Sequence, residues 1–97
     1  MTQNVTKKQF MAKASGFIQS IEKMDEKRRA AAPTGAYGDD YNKLRSLTVQ
    51  LYPPLNELLP PPVEIYSGAS GSRYTWQNYD EIHTYCEQIY HILSETE

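Results

Sequence analysis

Apolar residues recur along this chain in three stripes that step by three and four positions. Phe10, Ala14, Phe17, Ile21 and Met24 make the first. Tyr41, Leu44, Leu51, Leu55 and Leu58, with Thr48 in register, make the second, and Tyr79, Ile82, Cys86, Ile89 and Leu93 the third. Such steps place each set on one side of a helix. A stretch rich in proline and glycine separates the second stripe from the third. The pattern predicts a mainly α fold: a small antiparallel three-helix bundle with a kinked second helix, and a short β-hairpin before the third.

Local signals set the expected boundaries. Thr6 followed by Gln9 reads as a capping box, so the first helix is expected from about Lys7 to Ala31, with residues 1–5 frayed. Pro33 ends it, because the residue before a proline is driven out of the α region. Pro33 to Gly38 reads as a loop, with Asp39 or Asp40 capping a second helix from about Asp40 to Tyr52. Pro53-Pro54 interrupts that helix, yet the apolar spacing continues through Leu58 and Leu59, so a kinked or restarted turn from Pro54 to Leu59 is expected. Pro60-Pro61-Pro62 stiffens the chain after it.

Val63 to Tyr66 and Arg73 to Trp76 alternate as strands do, around the turn Ser67 to Ser72. The expectation is that Val63 and Ile65 share a face with Tyr74 and Trp76 and pack onto the helices. Asn78 with Glu81 three positions on forms a second capping box, opening a last helix that runs to about Leu93, with 94–97 frayed.

A chain of 97 residues makes a single domain, 1–97, with a thin core. Its hydrophobic fraction of 39% is that of a folded protein. The formal net charge of −2 and a last helix without lysine or arginine make nucleic acid an unlikely partner. No apolar leader or run long enough to span a bilayer stands out, so no membrane partner is expected and a cytoplasmic location is. The single cysteine, Cys86, precludes an intrachain disulfide. The sequon Asn4-Val5-Thr6 carries no weight without a secretion signal. Eight tyrosines against two phenylalanines stand out, and tyrosine suits both a thin core and a binding surface.

Candidate chemistry is sparse. His83 and Cys86 are three apart on the last helix, but His91 turns away and the ligand count falls short of a metal site. Cys86 lies on an apolar stripe, which argues against a nucleophile. No catalytic residue, cofactor or enzymatic activity is expected. The loop Ser67 to Arg73 shares only composition with phosphate-cradling loops. The residues best suited to hold a ligand or partner are Arg28, Arg29, Tyr37, Arg73 and Tyr74, arginine and tyrosine being favoured at interfaces. The chain therefore reads as a non-enzymatic protein-interaction or regulatory module that self-associates. The alternative is a binder of a nucleotide or other phosphate-bearing molecule, which requires the two glycine-containing loops to converge.

Overall fold

The computed structural model describes residues 2–96, with side chains from Lys7 to Thr96. Within them the chain is mainly helical, with one two-stranded antiparallel hairpin.

The first helix, α1, spans Thr2–Glu22 and buries Ala14, Phe17 and Ile21. It begins ahead of Thr6, and the side chains of the expected capping box at Thr6 lie partly outside the described ones. It also ends well short of Ala31. Beyond Ile21 the run Glu22 to Arg29 offers the core only Met24, so little packing rewards further helix. Asp25 instead caps a new short helix, α2 (Glu26–Arg29), its carboxylate accepting from the Arg28 amide at 2.8 Å.

The second stripe as far as Leu51 lies on α3, Gly35–Leu51. It starts five residues before the expected Asp40, capped by the Thr34 hydroxyl, which accepts from the Tyr37 amide at 3.4 Å. The expected loop is thus the helix's own first turn. Two glycines there cost helix propensity, about 1 kcal/mol each. They are accommodated because the hairpin lies directly against them. A Cβ on Gly35 would stand 2.7 Å from Arg73 Cβ, and one on Gly38 would run into Thr75 Cγ2. Backbone hydrogen bonds fasten the same junction: the Thr75 amide donates to the Pro33 carbonyl at 3.1 Å and the Tyr79 amide to the Ala31 carbonyl at 3.2 Å.

The helix stops at Leu51 rather than kinking. Tyr52, which precedes Pro53, adopts φ −131°, ψ 76°, outside the helical region. A separate 3-10 turn, Pro53–Glu57, follows. Leu55 and Leu59 reach the core, whereas Leu58, expected inside, is exposed because the stripe loses its phase at the break.

The prolines that follow have no N–H to pair, so their carbonyls are what the fold must satisfy. Donors on α3 do this. The Tyr41 hydroxyl donates to the Pro61 carbonyl at 3.0 Å, and Arg45 Nε donates to the Pro60 carbonyl. Asn42 acts as a surrogate strand, donating to the Val63 carbonyl at 3.0 Å and accepting from the Val63 amide at 2.8 Å.

The strands are β1 (Ile65–Ser67) and β2 (Arg73–Thr75), paired Ile65–Thr75, Tyr66–Tyr74 and Ser67–Arg73. Val63 and Ile65 face inward as expected, but the second strand presents the opposite face. Ile65 and the fully buried Thr75 point at Gly35 and Gly38, while Tyr74 and Trp76 point outward with Tyr66. A gap lined by two glycines admits the slim Thr75 and excludes an indole, and with period two that choice turns every other residue over.

The last helix, α4, runs Tyr79–Glu95 behind the Asn78–Glu81 capping box, both halves of which form. It lies antiparallel along α1. Lys7 Nζ donates to the Thr96 carbonyl at one end, and Glu22 meets His83 at the other. Ile82, Cys86, Ile89 and Leu93 close on Ala14, Phe17 and Ile21, with Tyr41, Leu44, Leu55, Leu59 and Val63 completing the core.

Gly38→Ala is expected to lower stability by more than about 1 kcal/mol, since the added methyl must displace the hairpin. Gly16→Ala, with nothing within 4 Å of the new Cβ, is expected to raise it by up to about 1 kcal/mol. Urea unfolding of the two variants should therefore move the midpoint in opposite directions.

Candidate functional site

The hairpin's outer face carries the chain's exposed aromatics. Trp76 is 66% exposed, Tyr74 39% and Tyr66 37%. Their rings lie against one another at a tilt: Tyr66 and Trp76 have centroids 4.5 Å apart at 31°, and Tyr66 and Tyr74 lie 6.2 Å apart at 41°. Cross-strand aromatic pairs stabilise a hairpin by up to about 1 kcal/mol each. A ladder of this kind still leaves the large outer ring surfaces in water, and tyrosine and tryptophan present them with little rotamer entropy to lose on binding.

The five residues singled out from the sequence fall into different settings. Tyr74 belongs to the aromatic face. Arg73, its neighbour, is half-exposed and reaches Asp39 at 3.3 Å. Thr34 bridges to Tyr74, so the segment before α3 and strand β2 do meet. Arg29 Nε donates to Asp80 at 2.8 Å, tying α2 to α4. The side chain of Arg28 is exposed, and its amide serves the α2 cap. Two of the three arginines are thus already partnered by carboxylates, which reduces their attraction for phosphate. Exposed pairs of this sort contribute up to about 1 kcal/mol each.

Tyr37 sits elsewhere. Its ring is held edge-on between Phe17, 5.2 Å away, and Tyr79, 5.1 Å away, joining α1, α3 and α4. Its hydroxyl is buried without a hydrogen-bond partner among the described residues. Burial raises the phenol's pKa, partly offset by the nearby Ser20 hydroxyl. That hydroxyl donates instead to the Phe17 carbonyl at 3.3 Å. Tyr37 also edges a shallow hollow of about 290 Å³ between α1 and α3, bordered by Lys13, Ser20 and Asp40.

Cys86 is fully buried, and desolvation pushes its thiol up from 9.0 to about 12. Burial also raises the Tyr41 phenol. Neither is poised for proton transfer near neutrality. His83 does not pair with Cys86. It turns toward α1, with Nε2 3.0 Å from Glu22 Oε2 and Nδ1 3.4 Å from Glu87 Oε1. In the sequence Cys86 stood out as the partner of His83 and Glu87 was passed over, although its four-residue spacing on the last helix was the available signal; the contribution of Glu22, from a different helix, left no mark in the sequence.

Protein-family models, curated proteins and solved structures were compared with this chain, and none matches. Among the described residues no helix is long and apolar enough to cross a membrane.

Tyr37→Phe is expected to leave stability unchanged or raise it by up to about 1 kcal/mol, because it removes an unpaired buried hydroxyl. Tyr37→Ala should lose about 3 kcal/mol of packing. Both are read by thermal and urea melts. The neutral Cys86 thiol and Tyr41 phenol are harboured more readily folded than unfolded. Their contribution is complete below pH about 9, the thiol's unfolded value, and falls as pH rises toward 12. Urea midpoints measured across that window should drop, and Cys86 should resist a thiol reagent at pH 8 until the protein is unfolded.

Proposed function

We propose that this chain is a non-enzymatic interaction module that self-associates through the outer aromatic face of its hairpin. In this reading α1, α3 and α4 act as a small antiparallel three-helix bundle whose work is to hold that face rigid. The observation that carries it is the exposure of the clustered rings of Tyr66, Tyr74 and Trp76 outside a core that closes without them. A face made of tyrosine and tryptophan has the composition of an interface centre. A second copy is the partner favoured here, because an aromatic ladder is self-complementary: two faces related by a twofold axis stack ring on ring. The low net charge of −2 opposes such pairing only weakly. The burial of Cys86, the one candidate nucleophile, is in keeping with a non-enzymatic role, and the single cysteine with a cytoplasmic one.

A binder of a nucleotide or other phosphate-bearing molecule is the second reading. The meeting of strand β2, through Tyr74, with the segment before α3 favours it, and the pairing of Arg29 and Arg73 with carboxylates counts against it.

Sedimentation equilibrium over a micromolar to millimolar range tests the first reading. The wild type is expected to dimerise, and Trp76→Ala or Tyr66→Ala to weaken the dimer at least about tenfold, as loss of a hot-spot residue does. Because Trp76 packs so little against the core, the monomer should lose no more than the cross-strand aromatic pair, about 1 kcal/mol. A wild type that stays monomeric throughout overturns self-association. ATP-dependent stabilisation abolished by Arg73→Ala would establish the second reading instead.

A further inference from the structure

We infer that Glu22, His83 and Glu87 form a binding site for a divalent transition-metal cation, with zinc as its representative. His83 and Glu87 stand one helical turn apart on α4, and Glu22 reaches them from the last residue of α1. One ligand atom from each lies within 4.8 Å of the other two. A cation bonded at about 2.0–2.2 Å to imidazole nitrogen and carboxylate oxygen holds its ligand atoms at most about 4 Å apart. Small rotations of the two carboxylates, both about half-exposed, close that difference, while His83, with 12% of its side chain exposed, stays fixed as the wall of the site.

Charge points the same way. Two carboxylates converge on one imidazole, leaving one uncompensated negative charge if the ring is protonated and two if it is neutral. Among the described residues neither Glu22 nor Glu87 forms an ion pair with a lysine or arginine, whereas Asp39 and Asp80 each have an arginine. A dication matches the excess. The cation sits between His83 Nε2 and Glu22 Oε2, 3.0 Å apart, and Glu87 turns from His83 Nδ1 to complete the three ligands. One nitrogen and two carboxylate oxygens favour zinc and its neighbours over magnesium or calcium, which prefer oxygen alone. The open side toward solvent leaves the remaining positions to water. Cys86, turned into the core, takes no part.

Bound there, the cation links the end of α1 to the beginning of α4 and stabilises the fold by mass action. This site is independent of the hairpin face and stands or falls separately from it.

The test is calorimetric titration of chelator-treated full-length protein with zinc chloride, paired with melting temperatures and the visible absorption of bound cobalt. One equivalent of zinc is expected to bind with a rise in melting temperature. Glu22→Gln and Glu87→Gln should each weaken binding at least about tenfold, and His83→Gln should abolish it together with the cobalt spectrum. His91→Gln, an exposed histidine outside the cluster, should bind as the wild type does. If His83→Gln fails to fold by circular dichroism, the two glutamate variants decide. No zinc binding by the wild type, binding undiminished in Glu22→Gln, or magnesium bound as tightly as zinc overturns the assignment.

Discussion

The arrangement of this chain hangs on how closely the hairpin approaches the first turn of α3. With hydrogen alone at Gly35 and Gly38, the strands settle onto the helix at a distance no side chain permits. Ile65 and Thr75 then fill the inward positions, and the alternation of the strands sends Tyr66, Tyr74 and Trp76 outward. The same contact holds the segment from Ala31 to Thr34 under the Thr75 and Tyr79 amides, fixing where α2 stands relative to α4 and allowing Arg29 to meet Asp80. Placement of the aromatic face and the pairing of Arg73 with Asp39 and of Arg29 with Asp80 all follow from two missing methyl groups.

Much of the helical part was legible in the residues. The stripes through Phe17, Leu44 and Ile89 mark the buried sides of α1, α3 and α4, because helical period is imposed by burial and survives in any helix that packs on one side. The Asn78–Glu81 box starts α4 at the expected residue, its hydrogen bonds being local and hence written locally. Boundaries governed by distant contacts were not legible. Gly35 and Gly38 look like loop residues until the hairpin occupies the space above them. Strand faces were ambiguous for a similar reason. Val63, Ile65, Tyr66, Tyr74 and Trp76 put apolar groups on both sides of a short hairpin, so pattern alone cannot choose the inner one.

The candidate residues divide along the same line. Tyr74 was singled out as the neighbour of Arg73 beside the glycine-rich loop, while strand alternation assigned it to the packed face. Trp76 and Tyr66 were hidden because tryptophan in a thin domain is ordinarily core, and only the glycine-lined gap forces it out. Tyr37 was singled out by its loop-like surroundings, yet once α3 begins at Gly35 it becomes a helical residue packed between Phe17 and Tyr79. His83 and Glu22 are 61 positions apart in the chain, beyond the reach of any local pattern.

The pairing of α1 with α4 also bears on how the chain acquires its structure. α3, the proline segment and the hairpin are near one another in sequence and can organise among themselves at modest cost in loop entropy. α1 has no such neighbour. Its apolar side, Ala14, Phe17 and Ile21, finds most of its cover on residues 82–93. During synthesis the first helix therefore leaves the ribosome with an open apolar side, which stays mostly uncovered until the residues of α4 have been made. For that interval Phe17 has Tyr37 of α3 for cover, and the rest of the apolar side waits for α4.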